Sequence, residues 1–257
     1  MAMKIRTRIV IGAVFAFLVF AWVYAFLAFR ATSCVVFPAN TFGIYALTDE
    51  PFGGTSTSEL DVKDSSIDIS INVRSGVAYP AVGVGFNLMS VGNRPAGLFD
   101  LSKYDSVEVI FATGRMRSIS LRILTDDPAH TKEGLRETLR PLVLNVPAQR
   151  SLASAKFSLS EIKTAVWWLA AMGMEEDDGL TYLYRSAAIE IANGDGIMRG
   201  IPDEINLKEI RLWGVNRDFE RGMYALLVVI LVVLALLEAD VIGMARKKKL
   251  KTAGKND

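Results

Sequence analysis

Of the 257 residues, 51% are apolar and 22% charged, and the formal net charge is only +1. That balance excludes a disordered tail, a collagen-like repeat and a strongly basic nucleic-acid-binding protein. A single cysteine, Cys34, and a single histidine, His130, exclude a disulfide framework and a zinc site built from several Cys and His ligands.

The mean hydropathy, +0.29, is high for a soluble domain with this many charges, and the apolar residues collect at the two ends of the chain. Residues 9–29 run for 21 positions without a charge, enough at about 1.5 Å per residue to cross a hydrocarbon core of roughly 30 Å. They are expected to form a transmembrane helix. A cleaved signal peptide would have a shorter apolar region, about 7–15 residues, ending at small residues, whereas this run stops at Arg30. Ala31-Thr32-Ser33-Cys34 lacks the aliphatic residue of a lipoprotein cleavage box, so Cys34 reads as an ordinary small residue just outside the bilayer.

Residues 30–59 are rich in Thr, Ser, Gly and Pro without a clean period, and read as an irregular lead-in or stalk. Residues 60–221 follow as a β domain, in which a two-residue period takes over, the mark of strands with one buried face. Ile67, Ile69, Ile71 and Val73 alternate with polar residues, as do Val107, Val109 and Phe111, and Ile119, Leu121 and Ile123. Val82, Val84, Phe86 and Leu88 alternate with Gly83, Gly85 and Asn87; the two glycines sit inside a strand, where they permit close packing or a bulge, rather than in a phosphate-binding loop. Leu142, Leu144 and Val146 mark a further strand, Ile189 and Ile191 another. Leu207, Ile210, Leu212 and Trp213 mark the last, its broken alternation pointing to a bulge or a shifted register. A short helix is expected within residues 160–174. About eight strands without a long amphipathic helix favour an all-β jelly-roll sandwich.

The second expected span, residues 222–245, is uninterrupted from 223 to 237 and then carries Glu238 and Asp240. An acid inside a membrane helix is costly and tends to face a partner or water. Glu238 and Asp240 are therefore candidate partner contacts, or acids solvated at the interface. Lys4, Arg6 and Arg8 precede the first span, and Arg246, Lys247, Lys248, Lys249, Lys251 and Lys255 follow the second. By the positive-inside rule the cytoplasmic N-terminus, residues 1–8, and the basic tail, residues 246–257, lie on the same side of a bacterial inner (plasma) membrane, with the mildly acidic β domain outside.

Several segments together carry a resemblance: LFDLSKYDSV at 98–107, SISLRI at 118–123, FSL at 157–159 leading to VWW at 166–168, AIEI at 188–191 and IRLWG at 210–214. The pattern resembles the galactose-binding-like jelly rolls related to carbohydrate-binding modules, as found in extracytoplasmic regions of bacterial two-span sensor proteins. The resemblance covers about residues 67–214 and implies fold more than ligand. Such sensors carry a kinase or cyclase after the second span; twelve residues follow Ala245 here, so action through a partner is expected.

Four aromatic residues are the candidate ligand contacts: Trp167, Trp168, Tyr182 and Tyr184. Flat aromatic faces stack on sugar rings while neighbouring polar groups bond the hydroxyls; the competing possibility is that one tryptophan fills the sandwich core and the other caps it. The acids Glu175, Glu176, Asp177 and Asp178, like Asp126-Asp127 and Asp203-Glu204, lack the spacing of a calcium loop, so no metal is expected. His130 reads as a surface loop residue with no catalytic motif around it, and neither a carboxylate pair nor a nucleophile with its base is marked. The expectation is a non-enzymatic, cofactor-free, membrane-anchored subunit that recognises a glycan, an envelope component or a partner protein, alone or as a homo-oligomer. The alternative is a scaffolding subunit of a multi-component cell-envelope complex serving secretion, motility or polysaccharide export. Nucleic acid is not an expected partner.

Overall fold

The computed structural model describes residues 2–39, 41–91, 94–95, 97–194 and 196–253, with the backbone alone for residues 2–9, 11, 91, 94–95, 238 and 240–253. The alternating segments are strands, and they assemble into two antiparallel sheets. Sheet A is six-stranded, in the order β10 (Ala153–Ser158), β7 (Ser106–Thr113), β13 (Asp203–Val215), β4 (Ser66–Asn72) and β3 (Thr57–Lys63), with β1 (Ala31–Phe37) also pairing β13. Sheet B is seven-stranded, in the order β11 (Lys163–Thr164), β9 (Arg140–Pro147), β8 (Ser118–Thr125), β12 (Ser186–Asn193), β5 (Gly83–Val91) and β2 (Phe42–Leu47), with β6 (Arg94–Pro95) beside β5. The apolar members of each alternation face one another across the gap. Ile67, Ile69 and Ile71 of β4, Val107 and Val109 of β7, and Ile205, Leu207 and Ile210 of β13 meet Val84 and Phe86 of β5, Ile119, Leu121 and Ile123 of β8, and Ile189 and Ile191 of β12 in one buried cluster. The broken alternation of β13 is a bulge: its register against β7 shifts between Leu207 and Glu209.

One expectation needs correction. Residues 30–59 are not an irregular stalk. They contain β1, β2 and the start of β3, and bury Val36, Phe37 and Phe42 in the core. The compact β unit accordingly spans Ser33–Gly214. The two-residue period is lost in β2 because both of its faces are covered. Ile44 packs on the core, while the ring of Tyr45 on the other face lies where a side chain of Gly85 would stand. The short helix, α2, is confined to Val166–Ala171; residues 159–161 form a separate 3-10 turn, and β11 intervenes.

A Cβ at position 85 would fall within the Tyr45 ring. Gly85→Ala is thus expected to push Tyr45 off the sheet and lower stability by about 1–3 kcal/mol, read as a lower thermal midpoint of the full chain in mild detergent. A change inside about 0.5 kcal/mol, the ordinary scatter of surface substitutions, would show that the ring yields freely.

The other unit, Met1–Thr32 with Val215–Asp257, holds α1 (Ala2–Phe29) and α3 (Arg217–Ala253). Their windows Gly12–Phe29 and Arg217–Leu237 are long and apolar enough to cross a membrane, by length and composition. Only 0% and 6% of these windows is buried, unlike the core helix of a soluble protein. The end of α1 is fastened to the start of α3: Trp22 Nε1 donates to the Met223 carbonyl at 2.7 Å, Phe26 meets Tyr224, and Arg30 Nε lies 2.9 Å from the Glu220 carboxylate.

Candidate functional site

The registers of sheet B carry one row of residues across six strands: Tyr45, Gly85, Glu190, Arg122, Val143 and Lys163. Because successive side chains alternate, this row stands opposite Ile189, Ile191, Leu121 and Ile123 and so belongs to the outer face. Near its middle, Glu190 is buried. It accepts hydrogen bonds from Tyr45 Oη at 3.0 Å and from Arg136 Nη2 at 2.7 Å, and the Arg136 guanidinium lies 4.1 Å over the Tyr45 ring. Burial pushes the Glu190 carboxyl above its ordinary range, while the positive charges of Arg136 and Arg122 oppose that shift.

Two cavities open on this face. The smaller, about 360 Å³, is lined by Asn87, Met89, Leu98, Leu135, Arg136 and Leu139 among others. The larger, about 500 Å³, has a floor of Ser120, Arg122, Val143 and Asn145 from β8 and β9, and walls from three chain segments that lie far apart in sequence. Tyr79 comes from the loop before β5 and Trp167 from α2; their ring centroids are 6.5 Å apart and their planes differ by 25°. The third wall is the end of β12 and the loop that follows it. There Asn193 accepts the Val82 amide at 2.8 Å and donates to the Pro80 carbonyl at 3.2 Å, and Arg199 Nη2 donates to the Val77 carbonyl at 3.1 Å. These bonds hold the Tyr79 segment beside the sheet. The result is an open cleft with two roughly parallel aromatic rings at its rim and hydrogen-bonding groups on its floor.

Beside the cleft lies a buried ionic network. Arg140, at the start of β9, is fully buried. It donates to Thr164 Oγ1 at 3.0 Å, to Asp127 Oδ2 at 3.2 Å and to Asp177 Oδ1 at 2.7 Å, and both of its terminal nitrogens meet Asp178. Its guanidinium also lies 5.5 Å from the Trp168 ring centre and 5.8 Å from that of Tyr182. The hydrogen bond from Arg140 holds the Asp178 carboxyl below the usual carboxylate range. Asp127, Asp177 and Asp178 therefore gather around one guanidinium, and this network ties the acidic loop to the sheet.

The four aromatic candidates separate. Trp167 lines the larger cavity. Trp168 does not: it is 0% exposed, packed with Ala165 and Leu169 beneath the edge of His130, and so has no face to offer a ligand. Tyr182 lies by Arg140 and Tyr184 is 55% exposed; neither lines the cleft with Trp167. His130 is not a plain surface residue either, since its Nδ1 sits 3.1 Å from Asp127 Oδ2 and its ring meets Trp168. The side chains of Glu238 and Asp240 lie outside the described residues. Tyr79, Arg122, Lys163 and Arg199 are cleft residues that sequence reasoning missed. Arg122 and Ser120 were visible as the polar members of the β8 alternation; Tyr79 and Arg199 sit in loops without any period.

Over 72% of its length the chain is similar to two structures of the family 11 carbohydrate-binding module from Clostridium thermocellum. One, in complex with a β-1,3-1,4-mixed-linked tetrasaccharide, has 11% identity and a TM-score of 0.47 over 72% of this chain and 96% of that one. The other, from the cellulosomal cellulase Lic26A-Cel5E, has 11% identity and a TM-score of 0.48 over 72% and 94%. A xylan-binding module, CBM86 from Roseburia intestinalis, aligns with 8% identity and a TM-score of 0.35 over 73% and 97%. No family profile and no curated protein matches the sequence.

Proposed function

We propose that the sandwich is a non-catalytic carbohydrate-binding domain whose ligand lies in the larger cleft on the outer face of sheet B. One observation carries this reading: an open cavity of about 500 Å³ in which Tyr79 and Trp167 border a floor of Ser120, Arg122 and Asn145. Aromatic faces with a few fixed polar groups are what a sugar's apolar ring faces and hydroxyl edges require. The two apolar helices would anchor the domain in a bacterial inner membrane with both termini cytoplasmic, as the Lys and Arg flanks require. The domain would act through a partner, met along the second helix near Glu238 and Asp240.

The test is a glycan array probed with the full-length protein in mild detergent. The wild type is expected to retain at least one glycan, and Trp167→Ala to weaken that binding about tenfold or more, or at least ~1.4 kcal/mol, without lowering the melting temperature. Retention of no glycan, or binding unchanged by Trp167→Ala, would remove the assignment.

A further inference from the structure

Among the described residues, the charge around the larger cleft is one-sided. Among its described lining residues Arg122, Lys163 and Arg199 are basic and none is acidic. Four arginines of the sandwich find carboxylates: Arg136 pairs with Glu190, Arg140 with Asp127, Asp177 and Asp178, Arg185 with Asp126, and Arg211 with Glu209. Arg74, Arg115, Arg117 and Arg150 pair with none among the described residues, but they do not share a described cavity with other cations. Among the described residues Arg122, Lys163 and Arg199 form no such pair. The acid beside Arg122 in the ladder, Glu190, is already held by Arg136 at 2.7 Å. Nor is Arg122 saturated by neutral groups, for its Nε reaches only Ser120 Oγ, at 3.4 Å.

The placement of the three cations is fixed by the fold. Arg122 pairs with Val143, and Val143 with Lys163, so the two basic residues stand in one row, roughly 10 Å apart at about 4.8 Å per strand. Arg199 is held on the opposite wall by the Val77 carbonyl. A neutral sugar would be served by Ser120, Asn145 and the backbone. Three cations around one cavity instead repel one another, and an anion placed among them relieves that repulsion.

We propose that the cleft takes an acidic oligosaccharide, one whose sugars carry carboxylate groups. Arg122 receives a carboxylate at the floor, Lys163 and Arg199 meet others at the rim, and Tyr79 and Trp167 carry the ring faces. The guanidinium fork of Arg122 matches a carboxylate in plane and spacing, which the point charge of a lysine does not. This proposal rests on the assignment of the cleft to a sugar and adds the ligand's charge.

The experiment titrates the full-length protein in neutral detergent with oligogalacturonate, oligomannuronate and oligoglucuronate. Each is set against its carboxyl-reduced neutral counterpart, with a single-stranded DNA oligonucleotide as a polyanion control. At least one oligouronate is expected to bind about tenfold or more tighter than its reduced form and than the DNA, with affinity falling as salt rises. Lys163→Ala, at an exposed position, is expected to weaken it about two- to fivefold and to weaken binding of the reduced form by a smaller factor. Equal binding of acidic and reduced forms would overturn the charge proposal and leave the sugar assignment standing. Binding of neither, with neutral glycans still retained on the array, would do the same. Binding of neither with an empty array would remove both, and DNA binding as tight as the best oligouronate would reduce the cleft to a nonspecific basic patch.

Discussion

Arg140→Leu is expected to destabilise the sandwich by about 3–5 kcal/mol, the cost of removing one partner from a buried ion pair. Arg140 and Asp127 are 0% and 1% exposed. Without the guanidinium, the Asp127 carboxylate stays buried with only the Ala129 amide and the His130 ring nearby. Asp177 and Asp178 lose the cation that gathers them, and the loop they belong to loses its tie to β9. For a unit of this size the loss corresponds to a fall of roughly 10 °C in thermal midpoint, measurable by near-ultraviolet circular dichroism of the full chain in detergent. A fall of less than about 2 °C would mean that water already shares the network and that Arg140 is not its keystone.

The adjacent tryptophans are expected to behave oppositely. Trp168→Ala removes a fully buried ring from the small cluster formed with Ala165 and Leu169 and should cost about 3–5 kcal/mol. Trp168 Nε1 is buried with no hydrogen-bond partner among the described residues, so the indole contributes by packing. Trp168→Phe should therefore keep most of the stability that Ala loses, because it discards an unmet donor along with part of the ring. Trp167→Ala, which changes a cleft wall, should leave the melting temperature nearly unchanged and weaken binding about tenfold or more. Equal stability losses at 167 and 168, measured by denaturant unfolding, would show that both rings serve packing.

Much of the sandwich is legible in the chain because its central strands have one apolar and one polar face. Ile67 to Val73, Val107 to Phe111 and Ile119 to Ile123 carry the period, and their apolar members form the core. β2 is illegible for a physical reason: Tyr45 covers the outer face at Gly85, so neither face is polar. The candidate site is legible only in part. Trp167 stands out as an aromatic beside a short helix, and Trp168, identical in type, differs only in which way the helix turns it. Tyr79 and Arg199 are separated along the chain by 120 positions and meet only because the loops before β5 and after β12 close on the same end of sheet B. The acidic runs were visible as possible cation ligands. Their partner, Arg140, was not, because a lone arginine at a strand start carries no pattern that marks it as buried.

A glycan on the outer face of sheet B between Tyr79, Trp167 and Arg199 would shield the backbone there from exchange. Hydrogen–deuterium exchange of the full-length protein, with and without the tightest-binding array glycan, reads that shielding. Protection is expected in peptides covering residues 78–82, 163–168 and 193–200, with β3 and β10 at the edges of sheet A unchanged. Protection confined to sheet A, or to the two apolar helices, would place the ligand elsewhere and contradict the account.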